Sequence, residues 1–247
     1  NIDTLKESIA ALSAPEDKRP IDGDLLQRGD LAILVTPIDS AAPKGRLILP
    51  QQQTIRDVLD SGAGAVVVKE TELSHMLSCL AQTPRIVITD SQAFAPVAAI
   101  VPEDIPLTSF SILFARHKGD LIQAVRGAAA LETVQDGDAI LISEGCTHHR
   151  QCDDIGSVKL PRWIRGHTGK ELRFVFSSGT EFPEDLSPYR LIVHCGGCML
   201  NEREMKYRIA CAQDAGIPIT NYGVAIAYMN GILKRSVEVF PEIWKTL

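Results

Sequence analysis

Gly62-Ala-Gly-Ala-Val-Val-Val68 is the clearest indication of the fold class, because two glycines lead the chain into an unbroken β-branched run. Apolar runs without alternation are typical of strands covered on both faces, as in a parallel sheet. Similar runs occupy residues 31–35, 85–89 and 107–114. Helix-type patterns separate them, at residues 52–60, 70–80 and 91–99. This alternation predicts a parallel or mixed α/β unit over residues 20–116.

A second α/β series follows along the rest of the chain. Strands are predicted at residues 139–142, 172–176 and 190–193, and helices at 120–131, 201–215 and 224–233. We therefore expect two consecutive α/β domains with mainly parallel sheets, at residues 20–116 and 117–247. Residues 1–19 are expected to contain a short amphipathic linker helix. Since residue 1 is Asn rather than Met, we expect that upstream sequence is missing.

Composition excludes several classes of protein. The 247 residues are 45% hydrophobic and 23% charged, with a net charge of −6, which excludes a disordered chain. Neither half is basic, so we expect no nucleic-acid partner. No apolar stretch approaches the roughly 18 residues that a membrane span needs, and no signal peptide is visible. A cytoplasmic location without a membrane partner is therefore expected.

Five of the six cysteines lie after residue 140, where two cysteine motifs each follow a predicted strand. Cys146-Thr-His148 follows the strand at 139–142, and His194-Cys-Gly-Gly-Cys198 follows the strand at 190–193. In open α/β sheets the carboxyl ends of the strands form the edge at which ligands bind. The two loops can converge there, which would bring three thiols and two imidazoles together.

This donor set is compatible with more than one kind of site. Three thiolates and an imidazole can form a closed zinc site. They can also hold three irons of a 4Fe–4S cluster and leave the fourth iron with a replaceable ligand. Gly196 and Gly197 expose backbone N–H groups that stabilise thiolate or sulfide. Uncoordinated loop cysteines are the remaining alternative, and Cys79 is expected to be a buried hydrophobic residue.

The whole motif, Cys146-x-His148, a gap of 45 residues and His194-Cys195-x-x-Cys198, resembles the signature of the HydF maturase family, which serves iron-only hydrogenases. Its flanks agree with the family: Glu144-Gly-Cys-Thr-His-His149, Asp154-Ile-Gly-Ser-Val-Lys-Leu-Pro161, His194-Cys-Gly-Gly-Cys-Met-Leu-Asn201 and Pro218-Ile-Thr-Asn-Tyr-Gly223. Gly45-Arg-Leu-Ile-Leu-Pro-Gln51 with Ile55-Arg-Asp57 is similar to the family's dimerisation domain.

The resemblance implies a scaffold or carrier rather than an enzyme. Its three motif cysteines would hold a 4Fe–4S cluster: Cys146, Cys195 and Cys198. The fourth iron would take one of three further side chains: His148, His194 or Glu144. The carrier would receive a di-iron precursor as cargo and deliver it to apo-hydrogenase. A second copy of the chain and the other maturation proteins would be its partners. Four basic residues could hold an anionic precursor or be ordinary surface charges: Arg150, Lys159, Arg162 and Arg165.

The chain departs from the family in one respect. Family members also carry a GTPase domain, yet no Gly-x-x-x-x-Gly-Lys-Ser/Thr loop is present here. Glu171 stands where such a loop needs Ser or Thr after Lys170, so GTP hydrolysis is not expected from these residues. Two other functions stay open: an iron–sulfur electron-transfer oxidoreductase and a structural zinc protein. The lack of a Gly-x-Gly-x-x-Gly fingerprint counts against the oxidoreductase.

Overall fold

Two four-stranded sheets form the framework of the computed structural model, which describes residues 2, 19–38, 47–145 and 154–245. Every pair of neighbouring strands in both sheets is parallel. The first unit (residues 19–118) contains one sheet, and the second unit (residues 120–245) contains the other. The expected class, two α/β units with parallel sheets, is confirmed.

The strands of the two sheets share one order. In the first sheet they are β1 (Leu31–Val35), β2 (Gly64–Val68), β3 (Ile86–Thr89) and β4 (Leu107–Ser109), in the order β2-β1-β3-β4. In the second sheet they are β5 (Ala139–Glu144), β6 (Arg173–Ser178), β7 (Tyr189–His194) and β8 (Ile219–Asn221), in the order β6-β5-β7-β8. The two units therefore repeat one topology, although the sequence shows no internal repeat.

The described part of the chain contains ten α-helices, seven between strands and three after the last strand. The first unit contains α1 (Leu49–Asp60), α2 (Leu73–Cys79), α3 (Phe94–Ile100) and α4 (Phe110–Lys118). The second unit contains α5 (Leu121–Ala128), α6 (Leu160–Thr168), α7 (Glu202–Asp214), α8 (Tyr222–Met229), α9 (Leu233–Ser236) and α10 (Pro241–Trp244). A π-helix, Ile155–Lys159, leads into α6. Among the described residues, no helix has the length and apolar character that crossing a membrane requires.

Two expectations about the first unit are wrong. The apolar run predicted as a strand over 107–114 is extended only to Ser109, where the side chain accepts a hydrogen bond from Ile112 N and starts α4. Ser109 is thus an N-cap, and the apolar residues after it are buried on a helix instead. Cys79 is exposed near the end of α2, with its Sγ 3.6 Å from His75 Nε2. Apart from Ile2 and Arg19, the expected linker helix lies outside the described residues.

The C-terminal helices join the two units. Apolar side chains from α8 to α10, including Leu233 and Phe240, belong to the same buried core cluster as β1 and β3. Thr108 Oγ1 in β4 donates to the carbonyl of Ser236 at 2.8 Å, in a buried position. Arg235 donates to three backbone carbonyls of the first unit, those of Ala98, Val101 and Pro102. The end of the chain therefore fixes the second unit against the first.

Candidate metal centre

The strands that precede the two cysteine motifs, β5 and β7, are neighbours at the topological switch point of the second sheet. From β5 the chain crosses to β6 on one side, and it then returns to β7 on the other side of β5. Loops that leave such neighbouring strands in opposite directions open a crevice at their carboxyl ends. Ser143 near the end of β5 lies opposite His194, the last residue of β7. The ends of the two strands that lead into the motifs are therefore adjacent.

Cys195 lies at the centre of this edge, half-buried. Its backbone N–H donates to the carbonyl of Ser143 at 2.8 Å. Its Sγ accepts hydrogen bonds from Gly145 N at 3.0 Å and from Gly197 N at 3.4 Å. Backbone N–H groups directed at a sulfur stabilise its thiolate form. Gly145 is the last described residue before the first motif, so Cys146 and His148 lie outside the described residues.

The cysteine loop (residues 195–200) contains two glycines, and its conformation requires glycine at only one of these positions. Gly197 has φ of 62°, and a Cβ there would lie 2.5 Å from Met205 Sδ. Gly196 has no atom within 4 Å of a hypothetical Cβ and borders open space. Gly197 therefore turns the loop, and Gly196 leaves space beside the thiols. Cys195 and Cys198 are both half-buried and form no disulfide.

His194 is buried, with both ring nitrogens engaged by the protein. Nε2 lies 3.1 Å from Arg208 Nη1, and Nδ1 lies 2.7 Å from the Cys195 carbonyl. Because a guanidinium only donates, Nε2 accepts and Nδ1 carries the proton given to that carbonyl. Burial and the charge of Arg208 lower the pKa of His194 to about 4. The neutral ring therefore holds the backbone of Cys195, and its lone pair is used by Arg208.

Arg208 is a functional candidate that the sequence analysis missed. It is completely buried on α7 and links the carboxyl ends of three strands. Its Nε donates to Glu204 Oε1 at 2.7 Å and its Nη2 to the carbonyl of Gly179 at 2.7 Å. Its Nη1 reaches Ser143 Oγ at 3.4 Å besides His194. In the sequence, Glu204 and Arg208 have the i, i+4 spacing of an ordinary exposed ion pair, so nothing there indicates that Arg208 is buried.

Glu144 ends β5 and is buried at the same edge. Tyr222 donates its hydroxyl proton to Glu144 Oε1 at 3.3 Å. Burial, and then the charge of Glu144, raises the pKa of Tyr222, which stays protonated. A Cβ at Gly156 would overlap both the carboxylate and the phenol, so glycine permits this packing. The carboxylate is thus held in place two residues before Cys146.

Of the four expected basic residues, the structure describes three, and these do not form one group around the cysteines. Arg165 donates to the carbonyl of Leu172 at 2.9 Å, just before β6, and its guanidinium stacks on the Phe174 ring. That position is the amino end of the sheet, so Arg165 lies opposite to the cysteine loop. Lys159 donates to Gln92 at 3.0 Å, and Arg162 is exposed. Arg150 lies outside the described residues.

No group of three or more Cys, His, Asp or Glu side chains arranged to hold a metal occurs within residues 19–38, 47–145 and 154–245. Cys195 and Cys198 supply two of the sulfurs expected for such a site, and the third expected cysteine lies outside these ranges.

Family models match nearly the whole chain. Residues 21–119 match the hydrogen maturase F dimerization domain, and residues 122–239 match the hydrogen maturase F tetramerization domain. The boundary between the two matches lies at the end of α4. The second model is named for assembly and not for a metal. The chain matches no curated protein.

Proposed function

This chain belongs to the hydrogen maturase F family, and from that premise we propose that its second unit is an iron–sulfur scaffold used in hydrogenase maturation. The observation that carries the proposal is the hydrogen bond from Gly145 N to Cys195 Sγ. It joins the loop that leads to Cys146 with the loop that carries Cys195 and Cys198. As a scaffold, the second unit would bind a cluster and would not itself catalyse a reaction.

The donor chemistry of the described residues fits a cluster with thiolate ligands. Two half-buried thiols lie in one tight loop, and N–H groups are directed at the first sulfur. Gly196 leaves open space beside them. With Cys146, which directly follows Gly145, three thiolates are available to hold a 4Fe–4S cluster. The proposed ligands are accordingly Cys146, Cys195 and Cys198.

We propose that the fourth coordination position is exchangeable. When bound, the cluster would supply one iron whose weak ligand can be replaced by a group of an incoming di-iron precursor. Glu144, held by Tyr222, and His148 are the candidate side chains for that position. His194 is the weaker candidate because Arg208 and the Cys195 carbonyl engage its nitrogens. The precursor is then cargo for delivery to apo-hydrogenase.

Assembly of several copies agrees with this role. The two matched models are named for dimerization and tetramerization. We propose a homodimer formed through the first unit as the working state of the carrier, with apo-hydrogenase and the other maturation proteins as its further partners.

Anaerobic reconstitution followed by iron, sulfide and zinc analysis tests the proposal. We expect Cys195→Ser and Cys198→Ser to lose most of the bound iron, because a hydroxyl is a poor iron ligand compared with a thiolate. Cys79→Ser is the matched control, since Cys79 is an exposed cysteine of the first unit. Added imidazole should change the electron paramagnetic resonance spectrum of the cluster. Zinc without iron, or an unchanged iron content in Cys195→Ser, would contradict the proposal.

A further inference from the structure

A lysine of the first unit holds the cysteine loop of the second. Lys118, the last residue of α4, donates from Nζ to the carbonyls of Cys198 at 3.0 Å, Leu200 at 3.1 Å and Gly197 at 3.4 Å. An ammonium group has three protons, and one loop here provides an acceptor for each. These acceptors lie 79 to 82 residues away in the sequence. The contact therefore joins two separately built parts of the molecule.

The ammonium group of Lys118 is fixed in place by its surroundings. The side chain is half-buried, and Nζ lies 5.6 Å from the centre of the Phe114 ring on the same helix. Removing an ammonium from water is unfavourable unless its donors are satisfied, and here the loop carbonyls satisfy them. The positive charge of Lys118 also lies close to Cys198.

The last turn of α4, which carries Lys118, also binds the segment that precedes β1. Arg116 donates from Nη1 to Asp24 Oδ1 at 2.9 Å and to the carbonyl of Ile21 at 3.4 Å. His117 donates from Nδ1 to the carbonyl of Arg19. Three consecutive residues of α4 thus hold residues 19–24 on one side and the cysteine loop on the other. A shift of residues 19–24 would therefore reach the turn that carries Lys118 through these hydrogen bonds.

We propose that Lys118 is a positioning residue of the metal centre, fixing the backbone of the cysteine loop and coupling it to residues 19–24. The part of this inference that assigns Lys118 to a metal centre rests on the proposed function. The positioning itself is a property of the polypeptide and can be measured without any metal. Removing the charge near Cys198 should also disfavour the reduced, more negative form of a bound cluster.

Hydrogen exchange of the metal-free full chain, followed by mass spectrometry, tests the positioning. We expect Lys118→Met to speed exchange of the amides at 196–200 by tenfold or more, and Lys118→Arg to restore part of the protection. Lys206→Met is the matched control, because Lys206 is an exposed lysine of α7 that pairs only with Glu202 among the described contacts. It should leave the loop unchanged.

Asp24→Asn tests the coupling, since Asp24 contacts Arg116 and not the loop. A rise in loop exchange of threefold or more is expected, and an unchanged loop would overturn the coupling. Loop exchange within twofold of wild type in Lys118→Met would overturn the positioning. After anaerobic reconstitution, Lys118→Met should shift the midpoint potential of the cluster to more negative values. Zinc instead of iron, combined with faster loop exchange, would contradict the proposed function but leave the positioning role intact.

Discussion

Replacing Arg208 with methionine removes the buried group that links the carboxyl ends of β5, β6 and β7. Methionine keeps much of the side-chain length on α7 and packs as an apolar residue. The substitution abolishes four hydrogen bonds, to Glu204, Ser143, His194 and Gly179. It leaves His194 without the donor that determines which ring nitrogen carries the proton.

The expected loss of stability follows from the acceptors left behind. A buried polar group without its partner costs about 1–3 kcal/mol. Two acceptors lose short or medium contacts, His194 Nε2 and the carbonyl of Gly179, while the 3.4 Å bond to Ser143 is weak. The Glu204 side chain is 32% exposed, so its carboxylate regains water and adds little. We expect Arg208→Met to lower the free energy of unfolding by about 3 kcal/mol.

Urea denaturation of the metal-free protein, monitored by far-UV circular dichroism, measures this loss. Arg203→Met is the matched control on the same helix, and because Arg203 is exposed it should change the free energy of unfolding by less than about 0.5 kcal/mol. A loss below about 1 kcal/mol in Arg208→Met would refute the view that the guanidinium holds the strand ends together.

Two further predictions concern a glycine pair and a buried acid. Gly197→Ala should cost about 1–2 kcal/mol in a urea titration and reduce bound iron, because of its positive φ and the Cβ clash with Met205, whereas Gly196→Ala should behave as wild type. Equal behaviour of the two variants would count against the loop geometry. Burial and the hydrogen bond with Asp57 raise the pKa of Asp22 from 3.8 to about 8, so the folded state keeps a proton that the unfolded state releases. Stability should therefore fall as the pH rises between these values, by at most about 1.4 kcal/mol per pH unit from this group. Asp22→Asn should flatten that slope between about pH 5 and pH 7.5, and an unchanged slope would contradict the assignment.

Central strands could be predicted from the sequence with little error. The run at 31–35 became β1 with the same bounds, because a strand covered on both faces needs apolar residues at successive positions. The strand predicted over 107–114 was wrong for residues 110–114, because a short apolar run without periodicity fits a buried helix equally well. Only the cap at Ser109 separates β4 from α4. The shared strand order of the two sheets was also hidden, because topology can recur without similar residues.

Some residues of the candidate site could likewise be predicted from the sequence, and others could not. Cys195 and Cys198 were visible because their spacing is specific and they follow a predicted strand. Arg208 and Lys118 were not, since charged residues on helices usually face solvent and give no signal of burial. Arg208 bonds Ser143 across 65 residues, and Lys118 bonds Leu200 across 82. Contacts of that separation depend on how sheets and helices pack, which periodicity does not contain.

The cysteine loop is held from two sides by cations of different units, and this arrangement makes its geometry a property of the whole chain. Arg208 acts from within the second unit through His194 on the Cys195 carbonyl, while Lys118 acts from the first unit on the carbonyls of Cys198 and Leu200. The C-terminal helices keep the two units in contact through a shared apolar core. A rotation between the units would therefore act on the carbonyls of Cys198 and Leu200 through Lys118. In the function we propose, this arrangement would let a change in the first unit reach the cysteine loop through Lys118.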